Sequence, residues 1–248
     1  MSVIEVAELR KEFWIPSVHR TTVREHVLGF YRRRFFERLV VLDGISFELQ
    51  PGQTLGIMGR NGSGKSTLLR ILSGIYEADG GRVAVRAPVT PILELGVGWN
   101  PELDAIDNIL LIGTAMGLTL REARGCIDDV LGFAGLERFA RMELKHYSSG
   151  MAARLAYSVA FAAARGILIL DEVFAVGDAA FKARCEERYR QLHNEGHTVV
   201  LVSHEPKTVA DFCPRALLLE GGRILEDGTG AEVGEAYTRL LGAPLAAP

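Results

Sequence analysis

The chain has 248 residues, 48% of them hydrophobic and 24% charged, which is enough for one sizeable buried core with a smaller appended unit. Its formal net charge of −3 excludes a protein whose whole surface binds nucleic acid electrostatically. Cys126, Cys185 and Cys213 are widely spaced and lack partners at metal-ligand spacing, so they read as reduced, buried thiols.

The first residues, Met1 to Glu5, do not lead from a basic segment into a long apolar stretch, and no secretory signal is expected. No charge-free run reaches the roughly 18 to 20 apolar residues that span a bilayer. Any membrane role is therefore expected to come through a partner or a surface contact.

Between Phe13 and Leu39 lie arginines at positions 20, 24, 32, 33, 34 and 38, interleaved with Val23, Val27, Phe30, Tyr31 and Phe35. That spacing predicts an amphipathic helical insertion over about 14–38. A cationic face with aromatic neighbours suits anionic lipid headgroups or a lipid-linked substrate; a solvated helix packed on its own domain is the other reading. Alternating apolar residues predict a strand over 40–49, and Gln50-Pro51-Gly52-Gln53 turns into a second strand over 54–58. A glycine-rich loop follows, then a helix over 67–73 that Gly74 stops, then a strand over 82–86 behind Gly80-Gly81.

From 101 to 165 the spacing is mostly helical, with apolar residues three and four apart through 106–116, 123–131 and 154–164. Two continuous apolar runs, 167–170 and 198–202, predict buried strands separated by a charged helix over 179–194. The implied class is α/β: a parallel or mixed sheet flanked by helices, with a helical subdomain inserted midway.

Gly59-Arg60-Asn61-Gly62-Ser63-Gly64-Lys65-Ser66-Thr67 places a glycine, four residues and then Gly-Lys-Ser between a predicted strand and a predicted helix. Glycines let the backbone curl until its amide hydrogens converge on phosphate oxygens, and the helix N-terminus adds favourable dipole density. Lys65 supplies a cation to the terminal phosphates, and the Ser66 hydroxyl suits magnesium. A chance glycine-rich turn is the competing explanation, and the flanking elements argue against it.

Ile167-Leu168-Ile169-Leu170 delivers Asp171-Glu172 to the C-terminal end of a strand, where ligands of such sheets bind. Asp171 can hold the magnesium shell and Glu172 can polarise or position an attacking water; an exposed acidic turn is the alternative for the pair taken alone. Thr198 to Val202 similarly delivers Ser203-His204, where an imidazole can donate to a terminal phosphate.

Tyr147-Ser148-Ser149-Gly150-Met151, opening a predicted helix, resembles the signature motif of ABC ATPases, usually written LSGGQ. It departs from the commonest form where Ser149 stands for a glycine and Met151 for a glutamine. With the phosphate loop, Asp171-Glu172, Ala175-Val176-Gly177-Asp178 in the place of the D-loop, and His204, the resemblance covers nearly the whole chain in the family's order. It implies a P-loop NTPase (RecA-like) α/β core with an antiparallel β subdomain, within 1–96 and 166–248, and a helical subdomain over 97–165. It further implies ATP and Mg2+ as ligands and a homodimer that sandwiches two ATP molecules. Ser148, Ser149 and Gly150 would then cap the nucleotide held by the opposite phosphate loop, with Asp178 beside it.

The YSSGM form, together with the runs Leu93 to Leu103 and Asp171 to Asp178, is similar to ATPase subunits of polysaccharide, O-antigen and teichoic-acid exporters. That similarity implies a motor at the cytoplasmic face of the plasma membrane, working with two copies of a separate transmembrane permease and without nucleic acid. A soluble or regulatory ABC ATPase uncoupled from glycan export is the alternative. Longer exporter ATPases carry a C-terminal carbohydrate-binding domain, for which a chain ending at Pro248 leaves no room. Glu94 falls within about one residue of the family's Q-loop glutamine, where a carboxylate can touch magnesium or the attacking water; an ordinary strand-end glutamate is the alternative. Phe13, and after it Trp14, stands where the family stacks an aromatic on adenine, with a core aromatic as the competing reading.

Overall fold

The computed structural model describes residues 1–16, 36–92, 98–171 and 178–242. Three apolar runs make the centre of its larger sheet: β3 (Thr54–Gly59), β6 (Ile167–Asp171) and β7 (Thr198–Val202). They are buried on both faces, as parallel strands covered by helices must be. With β5 (Val89–Ile92), β8 (Arg215–Glu220) and β9 (Arg223–Gly228) they form six strands in the order β5-β6-β7-β3-β8-β9. The pairings are parallel except for the β8–β9 hairpin.

The smaller sheet is antiparallel, in the order β2-β1-β4, built from β1 (Ile4–Pro16), β2 (Phe36–Leu49) and β4 (Gly80–Val85). Leu9, Ile45 and Phe47 of that sheet meet Leu55, Ile57, Ile169 and Val200 in one buried cluster, together with Leu68 and Leu69 of α1 (Lys65–Leu72). Leu168, Leu170, Val199 and Leu201 point to the opposite face, because successive strand residues alternate. There they pack on α6 (Ala179–Asn194) through Phe181, Cys185 and Tyr189, and on α7 (Pro206–Phe212) and α8 (Gly230–Gly242) through Val209, Val233 and Tyr237.

Between β5 and β6 the described chain is helical. Asp104 caps α2 (Ala105–Ala115), and a Thr119–Glu122 capping box starts α3 (Leu120–Gly125). Then come α4 (Ile127–Ala134), short turns at Glu137–Phe139 and Leu144–His146, and α5 (Ser149–Ala162). These helices own a third cluster, which includes Ile109, Val130, Leu131 and Leu155. α5 serves two cores: Leu155 and Val159 face the helical cluster, whereas Tyr157, Ala160 and Phe161 pack beneath the large sheet. It is the rod that joins the two.

The ends of the predicted 14–38 helix are a correction. Phe13 pairs with Leu39, Trp14 with Arg38, Ile15 with Glu37 and Pro16 with Phe36, so 14–16 and 36–38 are strand. Cross-strand pairing holds them there, with the Arg38 guanidinium donating to both carboxylate oxygens of Glu12. Residues 17–35, with the arginines at 20, 24, 32, 33 and 34, lie outside the described residues. The outer part of this hairpin carries Trp14, Ile15, Phe36, Leu39 and Val40 exposed to solvent.

Candidate functional site

Strand register creates the site. Ile57 of β3 and Asp171 of β6 both pair with Val202 of β7, so the three strands reach the same level and end together. Two residues further on, β3 becomes the phosphate loop at Gly59 and β7 reaches His204. In a parallel sheet this edge is where the chain leaves the strands and ligands bind.

The loop tolerates little at its glycines. Gly59 has φ 154°, and a Cβ there would overlap the Leu219 carbonyl oxygen and stand 2.5 Å from Ser63 Oγ. Gly64, in the left-handed region at φ 102°, would set a Cβ 2.6 Å from Leu42 Cδ2 and 2.9 Å from the Val41 carbonyl oxygen. β8 and β2 thus grip the loop from two sides. Lys65 is 7% exposed, and its Nζ donates to the carbonyl oxygens of Gly59 at 2.7 Å and Arg60 at 2.9 Å. The ammonium is held inside the curl, where phosphate charge would lie. Ser63 Oγ is buried, with no hydrogen-bond partner among the described residues. A buried hydroxyl left unpaired costs stability unless a ligand oxygen satisfies it, so the loop fits a phosphate. Asn61 and Ser66 are exposed and Thr67 is partly buried on α1.

Asp171 is partly buried at the strand end, and the oxygen donors of Asp171 and Ser66 have the hardness magnesium requires. Glu172 and Glu94 lie outside the described residues. His204 is partly buried, with Nδ1 3.1 Å from the Tyr237 hydroxyl. Tyr237 was not singled out from the sequence. Its signal was the apolar spacing Val233, Tyr237, Leu240, a helix face that reaches back to the loop.

The signature segment opens a helix and does not end a strand of this edge. Ser148 caps α5 by accepting from the Met151 amide at 3.2 Å, and Ser148, Ser149 and Gly150 are all exposed. A Cβ at Gly150 would meet nothing within 4 Å. The first turn of α5 holds no acidic residue, which leaves its positive end unneutralised from within the helix. Asp178 caps α6, accepting from the Phe181 amide at 2.8 Å, while its other oxygen lies 3.9 Å from Arg154 of α5.

Phe13 belongs to none of the three buried clusters. Its ring meets the edge of Tyr76 at 5.8 Å, and Lys11 Nζ lies 5.4 Å from its centroid. Tyr76 follows α1, so the aromatic pair flanks the phosphate-loop helix. Burial pushes the Cys185 and Cys213 thiols up to about 12, which makes these two poor nucleophiles, and raises that of the partly buried Cys126.

A family model described as ABC transporter matches residues 42–175. The O-antigen export system ATP-binding protein RfbB of Klebsiella pneumoniae is 34% identical over 244 residues, covering 96% of this chain and 98% of its own. The ABC transporter protein AbcA of Aeromonas salmonicida is 40% identical over 200 residues, and the teichoic acids export ATP-binding protein TagH of Bacillus anthracis is 34% identical over 212. The chain spans 65% of the former and 38% of the latter. Among solved structures, an ATP-binding subunit of an ABC transporter superposes with a TM-score of 0.75 at 23% identity, covering 98% of this chain and 95% of that one. A dimeric ATP-binding cassette bound to ADP and Pi gives 0.72 at 22% identity, over 91% of this chain and 98% of that one. At such identities these two speak for the fold alone. By the family match across the phosphate loop, the signature segment and Asp171, and by the near full-length relative, the chain belongs to the ABC transporter family.

Proposed function

We propose that this chain is the ATP-hydrolysing motor of an exporter that moves a lipid-linked glycan, of the O-antigen or teichoic-acid type, across the plasma membrane. The observation that carries it is the common end of β3, β6 and β7, which gathers the phosphate loop, Asp171 and His204 on one edge. The cargo class rests on relatives named for O-antigen and teichoic-acid export. No helix among the described residues is long and apolar enough to cross a membrane; in this reading a separate permease forms the path for the glycan.

In this reading the loop amides and Lys65 bind and orient the phosphates, and Ser66 and Asp171 would hold Mg2+, which neutralises phosphate charge when bound. Glu172 accepts a proton from the water that attacks the terminal phosphorus, and His204 donates a hydrogen bond to the phosphoryl oxygen. ATP and water become ADP and phosphate. The exposed Ser148 to Gly150 segment is available to a second copy, so two chains complete two sites between them. Phe13 stacks on adenine, and Asp178 stands at the seam.

Two measurements test this. Hydrolysis by the full chain should fall at least 100-fold in Glu172→Gln while ATP binding persists; equal rates would remove the catalytic assignment. In a strain lacking the gene, surface glycan should disappear and its lipid-linked form accumulate inside, with wild type but not Lys65→Ala restoring export. Unchanged surface glycan would remove the cargo assignment and leave the ATPase.

A further inference from the structure

Helix α8 reaches the site edge without belonging to any of the motifs above. Two glycines set how closely it lies on α7. A Cβ at Gly230 would overlap the Val209 carbonyl oxygen and stand 2.5 Å from that of Cys213. At Gly234 it would stand 3.2 Å from Pro206 Cβ and 3.3 Å from the Pro206 carbonyl oxygen. Positions four and three apart share a helix face, so 230, 234 and 237 form one stripe against α7. α7 itself starts at Pro206, two residues after His204.

This close approach delivers Tyr237. The side chain is 5% exposed and its hydroxyl lies 3.1 Å from His204 Nδ1, with the rings tilted at 39°. One turn further, the carbonyl oxygen of Leu240 accepts from Arg60 Nη2, inside the phosphate loop. Carbonyls in the last turn of a helix have no intrahelical partner, so Arg60 fills that need while tying α8 to the loop. One helix therefore touches both the phosphate cradle and the imidazole.

The chemistry of the pair has a preferred direction. A neutral imidazole nitrogen accepts better than a phenol oxygen, and a phenol donates better than an imidazole N–H. A Tyr237 O–H donated to Nδ1 of the neutral ring would leave the imidazole proton on Nε2. We infer that Tyr237 is a positioning residue for ATP hydrolysis: it holds His204 as the Nε2–H tautomer, so that a donor, not a lone pair, is offered to the terminal phosphate. The inference rests on the reading of His204 as a phosphate donor. It also gives α8 a role, since any shift of this helix changes the histidine and the loop together.

The test compares the full chain with Tyr237→Phe, which keeps the ring in its buried cluster and removes only the hydroxyl. The expected result is a kcat about 10-fold or more lower with KM for ATP unchanged, as for other groups that orient a reacting side chain through a hydrogen bond. The 15N resonances of His204 should move from those of the Nε2–H form towards a tautomer mixture, which a purely structural role would not produce. In a His204→Ala background, Tyr237→Phe should cost nothing further. If His204→Ala itself leaves hydrolysis unchanged, the reading of His204 falls. If it slows hydrolysis while Tyr237→Phe keeps both kcat and the tautomer, the role of Tyr237 falls and that of His204 stands.

Discussion

Arg154 and Asp178 face each other at 3.9 Å, joining the helix that starts at the signature segment to the helix that follows the Asp171 strand. The ion pair is exposed on the Asp178 side, and such pairs contribute little. The stronger duty of Asp178 is its cap on α6. Asp178→Ala should therefore lose about 1 kcal/mol in denaturant melts, and Arg154→Ala less than about 0.5 kcal/mol. Asp178→Asn keeps a capping oxygen and removes the charge. Slower hydrolysis at unchanged stability in that variant is the outcome expected from a place at the dimer seam; an unchanged rate would make Asp178 a helix cap and nothing more.

The proposed sharing of each site between two chains predicts complementation. Lys65→Ala spoils the phosphate loop and Ser148→Arg spoils the exposed signature start, so each protein alone should be inactive. Mixed, they form heterodimers in which the intact loop of one chain meets the intact signature of the other. Steady-state ATPase should recover to a substantial fraction of wild type. If the mixture stays as dead as its components, the signature does not act in trans.

Burial raises Cys185 and Cys213 to about 12 from an ordinary 9.0, and Tyr189 to about 12 from 10.0. In each case the neutral form belongs to the folded state. Above pH about 9 the unfolded chain releases these protons while the native chain keeps them, so stability is full below that range and falls as pH rises towards 12. Thermal melts should decline steadily across that window. Iodoacetamide at pH 8 should label Cys126, the least buried of the three, well before Cys185 or Cys213. Rapid labelling of all three in the native protein would contradict the burial.

Gly230→Ala forces a methyl into the backbone carbonyls of Val209 in α7 and of Cys213 just after it, which cannot yield as a side-chain tip would. A loss of about 1–3 kcal/mol is expected in urea unfolding. Gly242→Ala, with open space around its Cβ, should stay within about 0.5 kcal/mol of wild type. Similar melts for the two would mean that α8 packs more loosely on α7 than the glycines require.

The central strands and the phosphate loop were readable because their signals are local: β3, β6 and β7 are unbroken apolar runs, and the loop has a fixed spacing of glycines and a lysine. Strand β5 escaped notice because four residues interrupted by Pro91 carry no period. The β1–β2 hairpin was mistaken at its ends for part of a helix. The aromatic and arginine spacing of 20–35 dominated the pattern, whereas the ladder at 14–16 and 36–38 depends on a partner strand some twenty residues away. The place of Tyr237 beside His204 was invisible for a related reason. Its spacing with Val233 and Leu240 marks a helix face, but only the packing of Gly230 and Gly234 on α7 brings that face to His204.

Strand β3 lies between β7 and β8, both of which come from the last third of the chain, and Gly59 rests on Leu219 of β8. On the ribosome, the cradle must wait for those strands, on the order of ten to thirty seconds at about 5–20 residues per second. Until then β3 has two open apolar edges, a hazard that a chaperone would have to cover. A chain interrupted before β8 has the whole glycine-rich motif and no wall to fold it against. Nucleotide binding therefore reports that β8 has been made and paired with β3, which the glycine-rich motif alone does not guarantee.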